Sequence, residues 1–247
     1  MEILTSLENE RVKNYINLKK KKYRDASDYF IVEGYHLALE AFRAGLIEEV
    51  ILENYRDQPF PSPYVRVSTQ IMKKISTLDT HTDIVALCKK KYERPNLGNK
   101  LLILDQIQDP GNLGTMIRSA SAFNIDTIVL SENTVDLYNP KVIRATQGMM
   151  FRINIVKSKC SKIIELLKET NIPVYGTKVE CGINARTLSN KEKQKFALVM
   201  GNEGTGVRSE ISDLCNKNLY IKLNEFVESL NVGVAASILL YELDQHE

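Results

Sequence analysis

The stretch Leu101-Leu-Ile-Leu-Asp-Gln-Ile-Gln-Asp-Pro-Gly-Asn-Leu-Gly-Thr-Met-Ile-Arg118 decides how the chain is read. Four consecutive apolar residues, Leu101 to Leu104, predict a strand buried on both faces, as in a parallel sheet covered by helices. Pro110 and Gly111 predict a sharp turn, and Asn112 tolerates unusual backbone angles. From about Gly114 to Phe123 a helix is predicted, because Leu113, Met116, Ile117 and Ala120 keep helical spacing. Arg118 lies off that apolar stripe. The polar residues between strand and helix stand where open α/β sheets place ligands, at a strand's carboxyl end. An arginine there offers a planar fork to a phosphate. A turn followed by a surface arginine is the plainer alternative.

Downstream the theme repeats. Strands are predicted at Thr127–Leu130, Val174–Tyr175, Ala197–Met200 and Leu219–Leu223, with a helix at Lys162–Glu169. A final helix carries Val232, Ala235, Ala236, Leu239, Leu240 and Leu243 on one stripe. Strands alternating with helices over 101–247 argue an α/β domain built on a parallel sheet. Upstream, residues 1–90 read as a smaller α/β domain. A polar, basic helix over 7–20 is followed by a strand at Tyr29–Val32 and a helix at His36–Ala44, capped by Gly45. A strand at Val50–Leu52, a turn-rich loop from Tyr55 to Pro63, a strand at Val65–Val67, a helix at Gln70–Ser76 and a strand at Ile84–Leu87 complete it. Residues 91–100 are charged, broken by Pro95 and Gly98, and read as a linker.

Two further segments carry candidate chemistry. Leu198-Val-Met-Gly-Asn-Glu-Gly-Thr-Gly-Val207 ends a strand in three glycines within six residues. No Lys-Ser/Thr follows, so it is not a phosphate-cradling P-loop, and the glycine spacing departs from the dinucleotide fingerprint. Glu203 inside the turn repels phosphates and suits a cationic or sugar-bearing ligand. The second segment, Tyr220 to Ala236, leads from a strand through a polar loop into the last helix, with Ser229 and Asn231 as N-cap types.

Composition narrows the classes. The 247 residues carry a net charge of +2, which announces no polyanionic partner by itself. Residues 1–100 hold 17 Lys/Arg against 14 Asp/Glu, and residues 101–247 hold 16 against 17. The excess lies in the run Lys19, Lys20, Lys21, Lys22 with Arg24, either a solvated face or a phosphate-binding patch. No apolar stretch has the length of a membrane span. The N-terminal Met-Glu-Ile-Leu-Thr-Ser has no signal-peptide pattern, so a cytoplasmic location is expected. Cys88, Cys160, Cys181 and Cys215 are not at metal-ligand spacing and the three histidines are scattered, so neither metal nor disulfide framework is expected.

Taken in order, the three segments resemble the signature motifs of the SpoU/TrmH family, within the SPOUT class of methyltransferases. Asp109, Pro110, Asn112, Gly114, Arg118, Ser119 and Ala120 match the first motif, Gly201 to Gly206 the second, and Glu228 to Val232 the third. Lys141 to Gly148 also resembles a family segment. The likeness covers about 101–243. The third motif departs from the pattern, with Lys222, Leu223 and Glu225 where the family has proline, methionine and glycine. The resemblance implies an α/β domain with a deep trefoil knot, against the general rule that chains do not thread loops. It also implies an S-adenosylmethionine site involving Met200, Gly201, Gly204, Ile221, Leu223 and Leu230, and a homodimer through the C-terminal domain. The N-terminal domain resembles, more loosely, a small RNA-binding domain. The implied reaction is methyl transfer to an RNA ribose 2′-hydroxyl, in ribosomal more than transfer RNA. Arg118 would act as base or phosphate clamp, Asn112 would position the hydroxyl or the arginine, and Glu203, Ser229 and Asn231 would organise the site. RNA contacts are expected at Lys19 to Lys22, Arg24 and Arg144. The alternative is a non-catalytic RNA-binding protein on the same fold. A dehydrogenase or kinase is disfavoured by the glycine spacing and the missing P-loop lysine.

Overall fold

A computed structural model of the chain describes residues 3–91, 93–180 and 182–244. In chain order it begins with β1 (Ile3–Leu4), α1 (Glu10–Asn17), α2 (Lys21–Asp25), β2 (Tyr29–Glu33), α3 (Tyr35–Arg43), β3 (Ile47–Glu53), β4 (Tyr64–Val67), α4 (Thr69–Ile75) and β5 (Ile84–Lys89). Then follow β6 (Lys100–Leu104), α5 (Pro110–Ala122), β7 (Thr127–Leu130), α6 (Pro140–Thr146), β8 (Asn154–Lys157), α7 (Cys160–Glu169), β9 (Val174–Thr177) and β10 (Ile183–Asn184). The last elements are α8 (Asn190–Gln194), β11 (Phe196–Met200), α9 (Ser209–Ser212), β12 (Lys217–Tyr220) and α10 (Val232–Leu243). Two compact units emerge: Met1–Tyr92 with Asp136–Phe151, and Glu93–Val135 with Arg152–Glu247.

The first unit has a mixed five-stranded sheet in the order β1-β4-β3-β5-β2, with β5 antiparallel to both its neighbours. Val12, Tyr15, Ile31, Ile51, Val65, Val67, Ile71, Met72, Ile75 and Val85 fill a core between this sheet and α1 and α4. The segment 136–151 joins this unit although it follows β7 in the chain. Arg24, 4% exposed, donates from Nη2 to Asp136 Oδ2 at 2.6 Å and from Nη1 to the carbonyls of Leu18 and Lys19 at 2.9 and 2.7 Å. Phe30 packs on Tyr138 with ring centroids 4.7 Å apart. Arg144 Nη1 donates to Thr77 Oγ1 at 2.8 Å. Domain boundaries drawn at 90 and 101 do not capture this excursion, because local sequence does not say which core an apolar segment joins.

The basic run is not one helix face. The helix predicted over 7–20 ends at Asn17, and α2 begins at Lys21 after a break. Lys19 turns inward and donates from Nζ to the carbonyls of Lys74 and Ser76, both at 2.9 Å. Arg24 is consumed by its buried ion pair. These two cations therefore do not belong to an open phosphate-binding patch; Lys20, Lys21 and Lys22 are exposed.

The second unit holds a seven-stranded sheet in the order β10-β12-β9-β11-β6-β7-β8, every pair parallel. Leu101 to Leu104 are fully buried, as the apolar run predicted. On one face Leu101, Ile103, Val129, Ala197 and Val199 pack with Ile163, Ile164 and Leu167 of α7. The helix predicted from Gly114 starts four residues earlier, at Pro110. Asp109 caps it, accepting from Asn112 N at 2.8 Å, and proline suits the first helical position because its missing N–H is not needed there. The strand predicted to reach Leu223 stops at Tyr220, which releases Ile221 to Leu223 into the loop. The predicted linker is tied down: Arg94 N donates to Asn154 Oδ1 at 2.9 Å and Lys157 N to Glu93 Oε1 at 3.0 Å.

Candidate functional site

The carboxyl ends of β9, β11 and β12 open into a cavity of about 510 Å³ within the second unit. Its walls come from the ends of the strands and the residues just beyond them: Thr177 to Val179, Met200 to Val207, Leu219 to Ile221 with Leu223, then Glu228 to Leu230 and the start of α10. Met200, Gly201, Gly204, Ile221, Leu223 and Leu230 all line it, as do Glu203 and Ser229. The size suits a small-molecule site.

The loop after β11 is folded back on itself. Asn202 and Gly206 exchange backbone hydrogen bonds at 2.9 and 3.0 Å, and Gly206 takes a left-handed φ of 71°. Gly201 is required by this hairpin itself: a Cβ there would stand 2.0 Å from Gly206 C and Val207 N. Asn202 Nδ2 donates to the carbonyl of Gln106 at 2.9 Å, and Gln106 is itself left-handed at φ 61°. A residue other than glycine held there marks a backbone shaped for the site.

Three sequence segments meet in one relay. Glu203 accepts from Asn112 Nδ2 and from Asp109 N, both at 3.0 Å, and from Gln108 N at 3.2 Å. Asn112 Oδ1 accepts from Asn231 Nδ2 at 2.8 Å. Asn231 Oδ1 in turn caps α10, accepting from Gly233 N at 2.9 Å and Val234 N at 3.2 Å. Partial burial pushes the Glu203 carboxyl up, but the hydrogen bonds from Asn112, Asp109 and Gln108 outweigh it and hold the carboxyl below its ordinary value. Glu203 is thus an ionised brace for the first turn of α5, and Asn112 and Asn231 do not line the cavity but join its two loops.

Arg118 is exposed on α5 and has no hydrogen bond or ion pair among the described residues. Helix α5 packs on α10, with Ser119 Oγ and Ser237 Oγ 2.7 Å apart. Arg144 lies in the first unit, where its Nη1 donates to Thr77 Oγ1.

One pair was not singled out from the sequence. Asp105, fully buried at the end of β6, takes Arg208 in a forked contact, with Nε 3.1 Å from both carboxylate oxygens and Nη2 2.8 Å from Oδ1. This pair anchors the far end of the 201–208 loop. Cys160 lies against the same carboxylate, and burial together with the Asp105 charge pushes its thiol up to about 12. A charged residue ending a fully apolar strand was the available signal. Among the described residues no cluster of His, Cys, Asp or Glu could hold a metal ion, and no helix is long and apolar enough to cross a membrane. Cys181 lies outside the described residues.

A fully parallel sheet whose strand ends frame a small-molecule cavity with a braced glycine hairpin defines an α/β ligand-binding or transfer domain. Family models make this specific. The SpoU rRNA Methylase family matches residues 99–241, and the MRM3-like substrate binding domain matches residues 9–86. The 23S rRNA (guanosine(2553)-2′-O)-methyltransferase RlmP of Bacillus subtilis (strain 168) is 35% identical over 98% of this chain and 99% of its own. The AdoMet-bound rRNA methyltransferase from Sinorhizobium meliloti superposes with a TM-score of 0.86 at 28% identity, covering 98% of this chain and 97% of that one. The SpoU methyltransferase AviRb from Streptomyces viridochromogenes, 20% identical, shares the fold with a TM-score of 0.85 over 96% and 97% of the two chains. The chain belongs to the SpoU rRNA methylase family.

Proposed function

We propose that this chain transfers a methyl group from S-adenosylmethionine to a ribose 2′-hydroxyl of 23S ribosomal RNA. The observation that carries the reading is the meeting of Glu203, Asn112 and Asn231, which locks the three motif segments around one cavity. The substrate follows the activity named for the Bacillus subtilis relative, which aligns over nearly the whole of both chains.

The cavity fits the cofactor in size and chemistry. Its glycine hairpin presents backbone, Leu223, Leu230, Val232 and Leu239 give apolar wall, and Glu203 and Glu228 favour a positively charged ligand. Met200, Gly201, Gly204, Ile221, Leu223 and Leu230 would hold it. When bound, S-adenosylmethionine supplies an electrophilic methyl on a sulfonium.

The chain's own residues then have separate tasks. Catalysis of a methyl displacement rests on positioning the acceptor oxygen and removing its proton. Arg118, exposed and unengaged, presents its fork to the ribose phosphate and the reacting hydroxyl. A guanidinium is normally always protonated, which favours the clamp over the base, so the proton of the hydroxyl passes to water as the methyl is transferred. Asn112 keeps its side chain fixed between Glu203 and Asn231. Ser229, on the cavity wall, faces the same space. Lys20, Lys21 and Lys22 add a salt-dependent attraction for RNA.

The trefoil knot belongs to this reading, supported by two loops, 201–208 and 221–231, that close on one cavity. So does the homodimer, supported by the exposed Val234 and Tyr241 on α10 beside the exposed Thr115 and Arg118 of α5. A cytoplasmic location follows from the ribosomal substrate. Incubation with labelled S-adenosylmethionine and 23S RNA tests the reading: label on RNA from the parent but not from Arg118→Ala is the expected result. Full transfer by that variant would remove Arg118 from the mechanism.

A further inference from the structure

The first unit carries an aromatic and arginine stack that the basic run does not explain. Rings of Phe42, Phe60 and Tyr35 form a near-parallel ladder, with centroids 5.1 and 5.7 Å apart and interplanar angles of 15° and 18°. The Arg56 guanidinium carbon lies 5.8 Å from the centre of the Tyr35 ring. Phe60 is buried, while Tyr35 is 46% exposed and Tyr55, next to Arg56 in the chain, is 91% exposed.

The loop that carries Tyr55, Arg56 and Phe60, between β3 and β4, is held rigid against the Tyr35 and Phe42 rings of α3. Arg66 Nη1 donates to the carbonyls of Asn54 and Arg56 at 2.6 and 2.9 Å, and Gln58 Nε2 to that of Ser62 at 2.8 Å. Pro59, Pro61 and Pro63 stiffen it further. Such rigidity lowers the entropy lost when a ligand docks. Two buried side-chain atoms among the described residues have no hydrogen-bond partner, Arg56 Nε and Gln58 Oε1, and both belong to this loop. Arg56 Nε does lie 3.5 Å from Asp83 Oδ2, an ion-pair distance. Both atoms are enclosed, so the groups offered to a partner here are the Tyr35 and Tyr55 rings and the Arg56 guanidinium.

We propose that Tyr35, Tyr55 and Arg56 form a stacking platform for an unpaired base of the RNA substrate. The inference rests on the proposed RNA substrate and locates where the first unit, matched by a substrate-binding family model over residues 9–86, reads single-stranded RNA. Unpaired bases stack on tyrosine rings and arginine planes, and their edges offer both donors and acceptors. The acidic neighbours Asp57 and Asp83 repel phosphate, so the platform takes the base and leaves the backbone to cations elsewhere.

The test measures binding of the full chain to a single-stranded fragment of 23S RNA by fluorescence anisotropy at several salt concentrations. Tyr55→Ala and Tyr35→Leu are each expected to weaken binding about tenfold, within the range of base–aromatic stacking, with the salt slope unchanged. Tyr55→Phe should retain parental affinity, since the ring remains. Tyr55 is so exposed that its replacement does not threaten folding. Binding within twofold of the parent in a Tyr35→Leu/Tyr55→Ala double variant would overturn the platform, and so would a parent with no affinity for the RNA. Methyl transfer is read on the same samples. A parent that binds RNA but transfers no methyl would count against the proposed reaction alone, and the stacking comparison would still stand.

Discussion

Replacing Gly201 by alanine is a sharp test of the site's architecture, because Gly204 three residues on serves as its control. At Gly201 a Cβ would sit 2.0 Å from two backbone atoms of Gly206 and Val207, so the hairpin has to open by about 1 Å. Overpacking of this kind costs about 1–3 kcal/mol. The opening also strains the two Asn202–Gly206 backbone hydrogen bonds, each worth about 1 kcal/mol net. A total loss of roughly 3 kcal/mol corresponds to a fall in Tm of roughly 6–12 °C for a chain of this size. The same movement displaces the cavity wall, so S-adenosylmethionine affinity should fall at least about tenfold. At Gly204 the nearest atom to a new Cβ is Asn202 Oδ1 at 3.6 Å, ordinary contact. Gly204→Ala should therefore stay within about 0.5 kcal/mol of the parent. Differential scanning calorimetry and isothermal titration measure both quantities. A Gly201→Ala Tm that coincides with that of Gly204→Ala would refute the steric argument for the hairpin.

Other outcomes follow from the same geometry. Arg24→Ala leaves Asp136 buried and unpaired and should destabilise the protein by about 3–5 kcal/mol in urea unfolding, whereas Lys21→Ala should be nearly neutral. The Lys20, Lys21 and Lys22 triple alanine variant should leave stability unchanged and flatten the salt dependence of RNA binding; an unaltered slope in filter binding would remove these lysines from the interface. Because the Glu203 carboxyl is held below its ordinary value in the folded state, its contribution is complete above the unfolded carboxylate range and is lost as pH falls through the lowered folded value. Tm profiles from neutral to acid pH should accordingly converge for Glu203→Gln and the parent at the acid end, with the parent higher near neutrality. Asn112→Ala should reduce methyl transfer more than S-adenosylmethionine binding, because Asn112 lies outside the cavity yet joins its two loops.

Much of the parallel sheet was legible because its central strands are apolar runs. Leu101–Leu104, Thr127–Leu130 and Ala197–Met200 need no partner information to read as buried. Strand β8 escaped, since Asn154 and Lys157 break its apolar pattern. Asn154 is nonetheless buried, its Nδ2 donating to Thr127 Oγ1 at 3.0 Å. The start of α5 was misplaced because Pro110-Gly111 signals a turn and a first helical turn equally well, and only the Asp109 cap distinguishes them. For the site, the cavity-lining residues could be named from the motifs. Their mutual contacts could not, since Asn112 lies 91 positions from Glu203 and 119 from Asn231. The basic run shows the converse limit: five cations within six residues look alike in sequence, and only packing turns Lys19 and Arg24 inward.

Transfer of labelled methyl from S-adenosylmethionine to 23S ribosomal RNA, followed by alkaline digestion, tests the central claim most directly. A 2′-O-methyl group blocks attack on the adjacent phosphodiester, so the account predicts label in an alkali-resistant dinucleotide, and none with Arg118→Ala. Label recovered in single nucleotides would contradict it by placing the methyl on a base, and RNA bound without any label would contradict it and leave a non-catalytic RNA-binding protein as the better description.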